Sequence, residues 1–314
     1  MATADLTAYP TTSGLSAIAA FESDFAAKRR ASRRAWAIGT AIFLALFLLT
    51  AWLGDFFDVR QVTTENGSRE WRWVIAAGLP RLGEYIAQTI PVLRLESLGA
   101  DIAEWFWRWQ TWLRLLIETV LIAFMATVFG VIGGFVLCFP AARNLAPNAW
   151  VLWVSRRYLE IARTVPELVW ALIFVFCFGV SPMAGVLAIG LHAAGALGKL
   201  YSEVVENIDM RPLEGVKAAG GTWFDQVRYG AVPQVLPNIV SYTLLRFEIN
   251  VRASSIIGYV GAGGLGQEIR TALSFQEYTD LSALFLIILA TVIAIDWGSE
   301  KLRHRLIGLE EGPR

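Results

Sequence analysis

Twenty consecutive uncharged and mainly apolar residues run from Ala35 to Gly54. As a helix they extend roughly 30 Å, the thickness of a bilayer's hydrocarbon core. Further apolar segments recur at about 115–139, 149–180, 183–205, 239–259 and 281–299, separated by charged stretches. The 314-residue chain is 55% hydrophobic and 17% charged, with mean hydropathy +0.50, whereas soluble domains carry roughly a quarter charged residues. These proportions exclude a soluble enzyme and describe a chain threaded repeatedly through a membrane. Lys plus Arg and Asp plus Glu number 27 each, so no net field steers nucleic acid or another polyion to the chain.

The basic cluster Lys28, Arg29, Arg30, Arg33 and Arg34 precedes the first run, and Trp36 and Trp52 stand near the run's ends. By the positive-inside rule, residues 1–34 form a cytoplasmic segment and 35–54 a first transmembrane helix, too long and too late for a cleaved signal. Residues 55–112 contain Pro80, Pro91 and a tryptophan-rich end at Trp105, Trp107, Trp109 and Trp112. They read as amphipathic helices along the outer interface. Residues 113–306 form the main body. Within it Pro166 disfavours helical geometry at Val165, so the third segment should kink or break there. The fourth segment is rich in glycine and alanine, which let helices approach closely. Lys301, Arg303 and Arg305 put the tail, 307–314, in the cytoplasm. The expected fold is an all-α, polytopic membrane protein with about six transmembrane helices and both termini cytoplasmic. Cys138 and Cys177 lie in apolar segments and make neither a disulfide framework nor a metal-ligand spacing.

Residues 206–237 are too long and too ordered for a simple inner loop. The stretch Glu214-Gly-Val-Lys-Ala-Ala-Gly220 offers a helix surface of small residues, with an acid in its first turn and a sharp turn at Gly220 and Gly221. Leu213, Glu214, Lys217, Ala218, Ala219, Gly220, Thr222, Trp223, Arg228 and Pro233 are the candidate partner-docking residues.

The spacing from Glu214 to Gly220 to Pro233 resembles the cytoplasmic Glu-Ala-Ala loop of type I ABC importer permeases. Gly215 and Val216 stand where that family usually has its two alanines. Arg163-Thr-Val-Pro-Glu-Leu-Val-Trp-Ala-Leu172, Leu191-His-Ala-Ala-Gly-Ala-Leu-Gly-Lys-Leu-Tyr-Ser-Glu203, Arg228-Tyr-Gly-Ala-Val-Pro-Gln-Val-Leu-Pro237 and Arg246-Phe-Glu-Ile-Asn-Val-Arg252, with Gly261-Ala-Gly-Gly-Leu-Gly266, resemble the phosphonate-type branch. The likeness covers about residues 113–306, and the N-terminal third matches much less. It implies a homodimer of permeases in the inner membrane, two ATPase subunits docked on the Glu-Ala-Ala helices, and an extracytoplasmic binding protein delivering phosphonate, phosphite or phosphate. It implies no cofactor on this chain, with ATP and Mg held by the partner ATPases.

Residues 261–266 also fit G-x-G-x-x-G. That fingerprint needs a strand before it and a helix after it, and here a membrane segment precedes it. Gly261, Gly263, Gly264 and Gly266, with Pro166, instead read as bends or gates. The chain has no GxxxxGK[ST], G-x-S-x-G or His-Glu-x-x-His, so independent enzymatic activity is not expected.

Charges within apolar segments are costly and face a cavity or a partner. Glu167, His192, Lys199, Arg246, Glu248 and Arg252 are the candidates for a translocation path. Two readings stand. Lys199 with Glu203, and Glu248 with Arg252, are each four apart and can pair on one helix face; alternatively, the cations line a polar route for a desolvated oxyanion. An ion-coupled transporter and a permease for another small solute are the rival functions.

Overall fold

The computed structural model describes residues 12–54, 59–63 and 69–308. The first eleven residues and the last six therefore lie outside it, with parts of the expected N-terminal segment and tail, as do Asp55, Asp58 and Glu65. The chain divides into two units, residues 1–86 and 87–314.

The first unit begins with α1, Thr12–Leu53, a 42-residue helix whose Lys28–Leu53 portion is long and apolar enough to cross a membrane. Two strands follow, β1 (Val59–Thr63) and β2 (Arg69–Trp73), paired antiparallel with Val59 opposite Trp73 and Thr63 opposite Arg69. Valines, threonine and tryptophans suit a pleated surface. This pairing replaces helix at the start of the 55–112 segment. Helix returns with α2, Val74–Thr89, which opens just after the second strand.

The second unit contains α3 (Leu98–Trp105), α4 (Trp109–Ala141), α5 (Ala149–Thr164), α6 (Glu167–Phe178), α7 (Pro182–Glu206), α8 (Arg211–Ala218), α9 (Trp223–Asp225), α10 (Val232–Ile257), α11 (Leu265–Phe275) and α12 (Tyr278–Gly308). Its centre is α7. Gly130 and Gly134 of α4 lie against it so closely that a β-carbon on Gly130 would stand 2.6 Å from the Ala193 β-carbon. Small side chains thus set the distance between these two helices, and α7 is the most enclosed of the long apolar helices.

Three apolar clusters run along α4. One joins Trp112 to Leu265 and Leu284 at its start, one joins Ile122 and Ala126 to Ala188 and Ile189 in its middle, and one joins Cys138 and Phe139 to Tyr201, Leu213 and Val235 at its end. Among the described residues four helices, in α1, α4, α7 and α12, are long and apolar enough to span a membrane, or five if the bent α5 and α6 pair is one span. The count of six expected from sequence includes α10. That helix has 26 residues but carries Arg246, Glu248 and Arg252, and is not among the apolar ones.

The α5 and α6 axes differ by 90°. Val165 is extended, with φ −72° and ψ 122°, because the following proline ring excludes helical geometry. Pro166 then opens α6, where its missing N–H leaves no hydrogen bond unmade.

Candidate functional site

The 207–231 region is a folded knob at the end of α4. Helix α8 closes in a Schellman turn: the Gly220 N–H donates to the Lys217 carbonyl at 3.0 Å and the Gly221 N–H to the Val216 carbonyl at 2.9 Å. Gly220 has φ +85°, which a side chain would strain. Thr222 then caps α9. Its N–H and Oγ1 donate to the Asp225 carboxylate at 2.8 and 2.6 Å, and its Oγ1 accepts from the Asp225 N–H at 3.4 Å. The hydrogen bonds from Thr222 hold the Asp225 carboxyl below the usual carboxylate range. A π-helical turn over Gln226–Ala231 leads into α10, whose first turn holds Pro233.

The knob is anchored on one side only. Leu213 packs on Gly230 inside the knob, where an added β-carbon would stand 2.8 Å from Leu213 Cγ, and is buried in the same apolar cluster as Cys138, Phe139 and Leu145 of α4 and the turn after it. The Trp223 indole N–H donates to the Leu145 carbonyl at 2.6 Å. Glu214, Lys217, Ala218, Ala219, Gly220, Thr222, Arg228 and Pro233 are all exposed. Gly215 and Gly220 have no heavy atom within 4 Å of where a β-carbon would sit. Two further exposed aromatics, Phe224 and Tyr229, stand beside them, with the Arg228 guanidinium 5.4 Å from the Tyr229 ring centre. Neither is among the docking residues expected from the sequence; their position between Trp223 and Pro233 is the signal that marks them.

A polar staple underlies the knob. Arg156 of α5 pairs with Glu206 at the end of α7, and its Nε donates to the Ala141 carbonyl at 2.9 Å. Glu206 also accepts from the Arg143 N–H at 2.9 Å, and the Asn144 amide donates to the Val205 carbonyl at 2.7 Å. The ends of α4 and α7 are thereby joined to the middle of α5.

The six charged candidates separate into three groups. Glu167, His192 and Arg246 converge at the α5–α6 break: one Glu167 oxygen lies 3.7 Å from His192 Nε2 and 3.9 Å from Arg246 Nη2. Lys199 pairs with Glu203 at 3.1 Å. Glu248 and Arg252 do not pair with each other. Arg252 grips Asp296 through both carboxylate oxygens, at 3.0 and 2.9 Å, and Glu248 lies 3.6 Å from Arg303. The seven-residue interval from Asp296 to Arg303 puts both on one stripe of α12 facing α10, so cross-helix partners displace the i,i+4 pair.

The glycine turn packs on α4. Gly261, Gly263 and Gly264 all have positive φ. The Gly264 N–H donates to Glu118 Oε1 at 3.3 Å and the Leu265 N–H to Thr119 Oγ1 at 2.8 Å, so α4 side chains cap α11. Gly266 meets the Ser255 carbonyl, where a β-carbon would stand 2.4 Å from the oxygen. A helix precedes this turn among the described residues, not the strand a dinucleotide fold requires, and those residues hold no cluster suited to a metal.

The sequence profile of the binding-protein-dependent transport system inner membrane component matches residues 128–297, more than half of the chain. The chain belongs to this family. It is a permease, a multi-pass inner-membrane subunit with no enzymatic role of its own. The permease is similar to the phosphite transport system permease protein PtxC of Stutzerimonas stutzeri, at 39% identity over 215 residues, 68% of this chain and 77% of that protein. It is 32% identical to HtxC of the same organism over 280 residues, 89% of this chain and 90% of the relative. A solved structure of the MetNI methionine ABC transporter in an inward-facing conformation shares the fold, with TM-score 0.54, 20% identity, and coverage of 62% of this chain and 95% of that one.

Proposed function

We propose that this permease moves phosphite, phosphate or a phosphonate into the cell, driven by separate ATPase subunits that dock on the 207–231 knob. A homodimer of the permease, two ATPases holding ATP and Mg, and an extracytoplasmic binding protein make up the working assembly. Both termini and the knob face the cytoplasm, α10 is the sixth span, and Glu167, His192 and Arg246 lie on the route.

One observation carries the reading: the knob is fixed to the bundle by Leu213, in the cluster at the end of α4, and by Trp223, while its other face is exposed and ringed by small and aromatic side chains. A rigid body anchored on one side transmits a push applied to the other. Arg246 and Glu248 are themselves buried in α10, and charges kept at that cost inside a membrane serve transport or hold helices together. The substrate class is supported by the likeness to a phosphite permease and by the resemblance of residues 113–306 to the phosphonate-type branch.

The test is reconstitution in liposomes with the ATPase and binding protein. ATP hydrolysis should rise with phosphite, phosphate or methylphosphonate outside, and the oxyanion should accumulate inside. Stimulation by none of the three, with another solute active, would overturn the substrate class. Uptake that persists without ATP but needs an ion gradient would overturn the ATP-driven mechanism.

A further inference from the structure

Arg246 presents an unusual electrostatic situation. It is 9% exposed, and its Nε and Nη2 are buried without a hydrogen-bond partner. Its nearest anion, Glu167, stands 3.9 Å away, beyond hydrogen-bond reach. The same Glu167 oxygen is 3.7 Å from His192 Nε2, again too far to be a hydrogen bond. One carboxylate is therefore shared between two basic side chains and satisfies neither.

The surroundings favour an anion at this point. The Val165 carbonyl, released by the break at Pro166, lies 3.1 Å from His192 Nδ1. A carbonyl can only accept, so Nδ1 donates to it, and Nε2, turned toward Glu167, meets an anion as a donor when the ring carries its second proton and accepts from a protonated oxyanion oxygen when it does not. Glu167 is the first residue of the 12-residue α6, whose opening N–H groups and dipole end supply further positive character. A guanidinium with two unused donors, an imidazole held by a main-chain oxygen and a helix start thus converge on one place.

We infer that Glu167 is a resident counter-anion, which occupies an oxyanion station between Arg246 and His192 and gives way when the transported solute arrives. The inference rests on the proposed reading of the substrate as a phosphorus oxyanion. The planar guanidinium fork matches two oxygens of a tetrahedral oxyanion, which can approach closer than the tethered carboxylate does. Repulsion between the arriving anion and Glu167 turns the side chain aside, and its return displaces the solute, so that the station never holds its cargo tightly. Mobility comes from the break: Glu167 is half-buried and sits at the first turn after a 90° bend.

The experiment uses the permease–ATPase complex in nanodiscs, with the extracytoplasmic binding protein left out so that it adds no site of its own, and measures equilibrium binding of radiolabelled phosphate, with phosphite and methylphosphonate as competitors. Removing the competing charge in Glu167→Gln should tighten phosphate binding by about tenfold or more while slowing net uptake, because release is impaired. Arg246→Gln combined with Glu167→Gln should abolish the gain, and Arg246→Lys combined with it should restore part. Should the Arg246 variants fail to assemble, His192→Gln with Glu167→Gln serves, with an expected loss of part of the gain. ATPase stimulation by the three oxyanions is recorded in parallel on the unaltered complex with the binding protein added. Stimulation with Glu167→Gln binding phosphate no more tightly would overturn the counter-anion role while leaving the substrate class intact. Stimulation by none of them would overturn the substrate class and the ligand assigned here together.

Discussion

Trp223 of α9 and Leu145 of the turn after α4 are joined by a single hydrogen bond, from indole N–H to main-chain oxygen, 2.6 Å long and spanning 78 residues of sequence. It ties the exposed knob to the same turn that Arg156, Asn144 and Glu206 fasten to α5 and α7. A force on the knob therefore reaches α4, α5 and α7 directly, as well as α10 through the π-helical turn.

Trp223→Phe keeps most of the packing against the Leu145 cluster and removes the donor, so it should cost about 1 kcal/mol of stability. Melting in detergent should fall by a few degrees at most, while hydrolysis stimulated by loaded binding protein falls much further than stability does. Unchanged stimulation would show that the Leu145 contact carries no coupling.

Gly220 and Gly221 should fail for different reasons. Gly220→Ala meets open space and suffers only from its φ of +85°, about 1 kcal/mol, with Gly220→Asn milder. Gly221→Ala would put a β-carbon 2.6 Å from Val216 Cγ1 and 2.9 Å from the Val216 carbonyl, which deforms the α8 end. Hydrogen exchange over 216–225 should rise modestly in the first and strongly in the second.

Asp225 gives the knob an acid limit. Its carboxyl ionises below its ordinary value of 3.8 because Thr222 donates to it twice. A group depressed in the folded state contributes stability above its unfolded pKa and loses it as pH falls through the folded one. Protection of the 222–226 amides should hold at neutral pH and decline below about pH 4, and Asp225→Asn should show the low protection at every pH. A turn that is equally protected at both extremes would contradict the capping role.

The glycine turn should tolerate least. Gly258→Ala and Gly266→Ala would set β-carbons 2.5 Å from the Gly263 carbonyl and 2.4 Å from the Ser255 carbonyl, main-chain atoms that cannot rotate away. Each should cost about 3 kcal/mol or more and reduce recovery of folded permease from the membrane. Monodisperse protein with unaltered melting would show that the 258–266 packing is looser than described.

Much of this architecture is legible in the sequence where one residue acts locally. The uncharged runs become long helices, Pro166 marks the 90° bend between α5 and α6, and Gly220 sits where only a left-handed turn closes α8. Contacts made across the fold are not legible in the same way. The i,i+4 spacing of Glu248 and Arg252 invites a pair, and nothing in α10 itself reveals that Arg303 and Asp296 of α12 compete for them. Trp223 is conspicuous as a residue, yet its acceptor is a main-chain oxygen with no sequence signature. The β1–β2 pairing lay in a stretch read as interfacial helix, although Asn66-Gly67 between two segments of β-forming residues is a turn signal.

The most direct test of knob docking is cross-linking from Ala218, an exposed residue of α8. With Cys177, an exposed thiol, replaced by alanine, Ala218→Cys in the assembled transporter should join to the ATPase subunit through a short bifunctional thiol reagent, with a yield that changes when ATP is bound. A residue 218 thiol that never reaches the ATPase and is instead labelled from outside intact cells by an impermeant reagent would contradict the account.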